Sequence, residues 1–137
     1  MNAALRIIVA DGESDTRRFM YRTLTHEGHH VIAIAENGRQ LIDECINQRP
    51  DLIITDIEMP ELDGLAALHE ICMTNPVPAI IVSANSDQEM LVRASRELVF
   101  AYLVKPIKMD DLQPAIWLTM QRYSEVAVLR QRLIGLD

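Results

Sequence analysis

The sequence predicts a doubly wound α/β domain, a parallel five-stranded sheet with helices on both faces. Three observations carry this. Five short apolar runs, at residues 5–10, 31–35, 52–54, 79–82 and 100–104, alternate with five stretches of helical periodicity. The runs are continuous rather than alternating, which is how strands buried on both faces read. Right-handed crossovers through each intervening helix then wind such a chain into one sheet covered on both sides.

Each element has its own signals. The first run, Leu-Arg-Ile-Ile-Val-Ala, ends at Asp11. Ser14 is expected to cap a helix that carries Phe19, Met20 and Leu24 and stops at Gly28. His29-His30 opens the second strand as a solvated pair, and Asn37-Gly38 turns the chain. Leu41, Ile42, Cys45 and Ile46 mark one face of the second helix, which ends before Pro50. The third strand ends at Asp56. Gly64 leads into a helix with Leu65, Leu68, Ile71 and Cys72, ended by Asn75-Pro76. The fourth strand ends at Ser83. Ser86-Asp87-Gln88-Glu89 reads as a capping box, with Ser86 as N-cap, for a helix carrying Met90, Leu91, Ala94 and Leu98. The fifth strand ends at Lys105-Pro106. Asp110 or Asp111 is expected to cap a last helix running to about residue 133.

Composition narrows the function. The chain has 137 residues, enough for one domain with a real core. Its net charge of -7, from 13 Lys+Arg against 20 Asp+Glu, argues against sequence-independent nucleic-acid binding. No apolar run is long enough to span a membrane, and residues 1–6 lack a signal-peptide pattern. Cys45 and Cys72 have no metal-ligand spacing and read as buried free thiols, which suits a reducing cytoplasm.

Function in such folds gathers at the carboxyl ends of the strands. Four of the five strands end in a chemically capable group: Asp11, Asp56, Ser83 and Lys105. Two carboxylates can hold a hard cation such as Mg²⁺. A lysine and a hydroxyl can hold a phosphate, and a carboxylate can itself be the nucleophile that forms an acyl phosphate.

These residues and their surroundings resemble the receiver domain of bacterial two-component response regulators over about residues 4–124. Asp56, between Pro50-Asp51 and Met59-Pro60, matches the phosphoacceptor, and Asp63-Gly64 the loop that follows it. Ser83-Ala84 matches the switch hydroxyl and its small neighbour, Tyr102 the aromatic switch residue, and Lys105 the phosphate-pairing lysine before a cis proline. The resemblance implies a flavodoxin-like fold with strand order 2-1-3-4-5 and five helices, the last extended. It implies a histidine kinase or phosphotransfer protein as donor, and a partner-binding face on helix four, strand five and helix five. It also implies a phosphoacceptor that takes part in its own modification rather than an enzyme.

The metal ligands depart from the family pattern. Asp11 matches the first of two adjacent acids, but Gly12 stands where the second, the direct ligand, is expected, and Glu13 is expected to point elsewhere. The implied ligands are then Asp56, Asp11 and the backbone carbonyl of Glu58. Losing one carboxylate costs about 1.5–3 kcal/mol, so Mg²⁺ is expected to bind roughly ten- to a hundredfold more weakly. The Glu58 side chain is a candidate for restoring part of the missing charge. Gly12 also supports a competing reading, a pseudo-receiver that binds partners without efficient phosphorylation. Enzymes on the same fold fit less well: there is no flavin-phosphate loop, and Glu58 holds the place where a haloacid-type hydrolase wants a second Asp.

The last helix exceeds what the domain needs, at about 25 residues or ~37 Å. Leu112, Ile116, Met120 and Tyr123 can pack on the sheet. Val126, Leu129, Leu133 and Leu136 form a seam of about two heptads within residues 125–137, a possible homodimer coil. Together with Arg122-Tyr123-Ser124-Glu125, this is similar to the receiver of antitermination regulators. Their three-helix RNA-binding module is absent here, so the chain is expected to be a fragment or a relative without that output, and to bind no RNA alone.

Overall fold

The computed structural model describes residues 3–135. Five strands alternate with five helices: β1 (Arg6–Ala10), α1 (Ser14–His26), β2 (His30–Ala35), α2 (Gly38–Gln48), β3 (Leu52–Thr55), α3 (Gly64–Thr74), β4 (Ala79–Ser83), α4 (Gln88–Ser95), β5 (Val99–Val104) and α5 (Met109–Gly135). The sheet is parallel throughout, in the order β2-β1-β3-β4-β5. Both features match the expectation. Among the described residues no helix is long and apolar enough to cross a membrane.

Side chains alternate between two cores on either side of the sheet. Ile8, Ala10, Ile53, Ala79 and Ile81 face α2, α3 and α4. Ile7, Val9, Leu52, Ile54, Ile80 and Val82 face α1 and α5. Both faces of the three central strands are therefore buried, which is why they are written as unbroken apolar runs. Each fully buried Ile or Leu stabilises the fold by about 1.5–3 kcal/mol, and truncating one to Ala costs about 2–5 kcal/mol. β2 and β5 form the edges and are mostly half-buried.

Helix starts differ from the expectations at several points. Glu13, not Ser14, is the N-cap of α1, and its side chain makes no capping bond. Asn37 is the N-cap of α2 rather than part of a separate turn, its Oδ1 accepting from the Gln40 amide at 2.9 Å. Gly38 opens that helix because a Cβ there would lie 2.3 Å from the Leu62 carbonyl oxygen. Asp87, not Ser86, caps α4 by accepting from the Met90 amide at 3.0 Å. The Asp87 amide donates to Asn85 Oδ1, so the cap residue's own amide is served from the preceding loop. α4 ends at Ser95, so Leu98 lies beyond it. In α5 both acids sit inside the first turn, where Asp111 reaches back to accept from the Lys108 amide at 2.8 Å.

Two burial expectations also change. Cys45 is buried, and burial pushes its thiol up to about 12, whereas Cys72 is only half-buried, with Sγ 3.6 Å from the Val77 carbonyl. His29 is not solvated, because its ring is buried and Nδ1 accepts from the Leu5 amide. His30 is exposed, as expected.

Candidate functional site

Backbone bonds between neighbouring strands bring the strand ends to one level. The Asp11 amide donates to the Ala35 carbonyl, the Asp56 amide to that of Ala10, and the Lys105 amide to that of Ser83. The peptide between Lys105 and Pro106 is cis, as the resemblance implied. Gly64 closes the loop after Asp56: its amide donates to the Ile57 carbonyl, and a Cβ on it would lie 1.9 Å from the Asp56 carbonyl oxygen. Only glycine allows so close an approach.

Lys105 is the centre of the resulting cluster. Its Nζ lies 3.0 Å from Asp11 Oδ2, 3.0 Å from Asp56 Oδ2 and 2.8 Å from Glu13 Oε1. Asp56 is 7% exposed, and its Oδ1 accepts from the Ile57 amide at 2.7 Å. Burial alone would depress the Lys105 ammonium, but bonds to Glu13, Asp11 and Asp56 outweigh it and hold the pKa above the usual lysine value. Burial raises the Asp11 carboxyl, with the Asp56 charge acting in the same direction. Lys105 holds the Glu13 carboxyl below its ordinary range.

The structure thus brings Asp11, Asp56 and Lys105 together, and adds Glu13 against expectation. The cause is local. Asp11 Oδ1 accepts from the Glu13 amide at 2.8 Å, an Asx turn that folds residue 13 back over the end of β1. The Asp-Gly-Glu order after an apolar run is the signal that could have revealed it. The Asp11, Glu13 and Asp56 carboxylates each place an oxygen within 4.8 Å of the others. The Glu58 side chain is exposed and outside this group. Arg17, which sequence reasoning also missed, donates to the Asp11 carbonyl at 2.8 Å.

Ser83 and Tyr102 meet at a third residue. Ser83 is fully buried, and its Oγ accepts from the Asn85 amide at 3.1 Å. The half-buried Tyr102 ring packs on the core beneath α4, and its hydroxyl donates to the Asn85 carbonyl. Arg93 of α4 forks onto both oxygens of Asp63, at 3.1 and 2.9 Å, tying α4 to the loop after β3.

Residues 7–117 match the response regulator receiver domain family. The chain is 36% identical over 114 residues to the chemotaxis protein CheY of Bacillus subtilis, covering 82% of this chain and 95% of that protein. It is 33% identical over 132 residues to the transcriptional regulatory protein PdtaR of Mycobacterium tuberculosis, covering 96% of this chain but 64% of that longer protein. The crystal structure of a response regulator receiver domain protein from Clostridium thermocellum superposes with a TM-score of 0.80 at 29% identity, covering 90% of this chain and 99% of the other. A family match over residues 7–117, a relative covered almost end to end and a shared fold lead to one conclusion: the chain belongs to the response regulator receiver domain family.

Proposed function

We propose that Asp56 is the phosphoacceptor through which this chain serves a two-component phosphorelay, with a histidine kinase or phosphotransfer protein as donor. One observation carries the reading: the Asp56 carboxylate sits at the end of a central strand with Lys105 Nζ 3.0 Å from Oδ2. An Asp56 oxygen attacks phosphorus in line. The P–O bond forms as the P–N bond to the donor imidazole breaks, and the electron pair leaves with the nitrogen. Lys105 stabilises the charge on the transferring oxygens, since positioning and electrostatics supply most of the rate in phosphoryl transfer.

The donor set fits a hard divalent cation, because clustered carboxylate oxygens are what Mg²⁺ prefers. Asp11, Asp56 and the Glu58 backbone carbonyl would hold it, weakly for want of an acid at residue 12. When bound, Mg²⁺ supplies a point charge that offsets the charge of the phosphoryl oxygens.

The switch follows from the Asn85 junction. Ser83 Oγ accepts from the Asn85 amide, and a phosphate on Asp56 would offer its hydroxyl proton a charged acceptor. Any movement of Ser83 acts on the same loop residue that holds the Tyr102 hydroxyl. Phosphorylation then shifts the population of α4 and β5 arrangements that a partner reads.

Acetyl phosphate with Mg²⁺ should add one phosphate to the intact mass of the parent and none to Asp56→Asn. A parent that gains no phosphate at high Mg²⁺ would sink the reading and favour a domain that binds partners by shape alone.

A further inference from the structure

The pocket holds more negative charge than its ammonium answers. Asp11, Glu13 and Asp56 all lie within 3.0 Å of Lys105 Nζ, so three carboxylates share one ammonium and two charges are left over. Gly12 is not held to glycine by its surroundings. A Cβ there would meet only Pro60 Cδ, at an ordinary 3.8 Å, and its φ lies outside the left-handed region. The missing side chain therefore leaves room at residue 12 that nothing but Pro60 borders. The Glu13 backbone is held by the Asx turn onto Asp11 and by the start of α1, while its side chain is 68% exposed and free to change rotamer without disturbing the core. The Glu58 side chain, the other acid near the pocket, is turned to solvent.

We propose that Glu13 supplies the carboxylate that Gly12 lacks, serving as a ligand for a divalent cation in this pocket. The proposal rests on the reading of the pocket as a cation-assisted phosphoacceptor site, and names the residue that completes it. Without the cation, Glu13 is one of three counter-ions of Lys105. Turning its oxygen towards the cation frees one Lys105 donor for a phosphoryl oxygen. Cation binding and readiness of the lysine are thereby coupled through one side chain.

Direct Mn²⁺ and Mg²⁺ titrations of the full chain, by electron paramagnetic resonance and calorimetry, test this without any phosphoryl transfer. Glu13→Gln should weaken Mn²⁺ binding at least ~tenfold, as loss of one charged ligand does. Glu58→Gln should stay within about twofold of the parent, and Gly12→Asp added to Glu13→Gln should recover the parent affinity. A parent that binds Mn²⁺ with Glu13→Gln equal to it overturns the role of Glu13 and leaves the phosphoacceptor reading standing. A parent that binds neither cation and takes no phosphate overturns both. The Glu13 side chain is exposed, and a thermal melt of Glu13→Gln overlaying that of the parent confirms that the change is in the ligand set.

Discussion

The His29 imidazole is 4% exposed, with Nδ1 accepting from the Leu5 amide at 3.1 Å and Nε2 without a hydrogen-bond partner among the described residues. Burial lowers its pKa below the usual histidine value, and the neighbouring charge of His30 acts in the same direction. Below a pH of about 6.5 the unfolded chain takes up a proton that the folded ring refuses. The stability His29 contributes is therefore full above that pH and lost as pH falls towards the folded pKa, at up to ~1.4 kcal/mol per pH unit. His29→Asn keeps an acceptor for the Leu5 amide and removes the titration. Urea midpoints at pH 7 and 5.5 should show the parent losing more stability than the variant. Equal losses would mean that the buried ring protonates freely. Asp11, Asp56 and Lys105 were legible because each ends an apolar run. Glu13 was missed although the Asx turn that folds it back is local, whereas His29 was not legible because its partner, Leu5, lies 24 residues away.

α4 is eight residues long with only Ala94 buried, so its stability rests on its ends and on the Arg93–Asp63 fork. Helices this short are marginal on their own in water. The cap is Asp87, whose carboxylate meets the helix N-terminus, while Ser86 lies one residue outside. Asp87→Ala should cost about 1 kcal/mol, and Ser86→Ala should stay within ~0.5 kcal/mol, both read from urea midpoints. The reverse order would restore Ser86 as the cap. The sequence found this helix but set its cap one residue early and carried its end past Ser95 to Leu98. Two adjacent capping residues look alike until Asn85 shows which amide is already served.

The helix α5 outruns the core it packs on. Leu112, Ala115, Ile116 and Thr119 of α5 are buried and Val126 is half-buried, while Val128, Leu129, Leu133 and Ile134 stand exposed, Leu133 at 65%. Val126, Leu129 and Leu133 of the expected seam pack on neither core, and Leu136 lies outside the described residues. We propose a second copy of the chain as the occupant of this stripe, since two helices of this pattern can bury it against each other. Sedimentation velocity at micromolar concentration should give a dimer for the parent and a monomer for Leu129→Glu/Leu133→Glu. A monomeric parent would reject the coil.

By itself the sequence determined the class of fold, the order of elements and the polar residue at four of the five strand ends. Apolar periodicity is a local property, and it states which residues must leave water wherever the partners come from. Only the tertiary structure decided which polar groups meet. Glu13 and Lys105 are 92 residues apart in the chain, and their contact depends on the strand order and on an Asx turn that reaches two residues. The fold is specified many times over by its buried runs, whereas the pocket depends on single side chains whose positions arise only after the crossovers have closed.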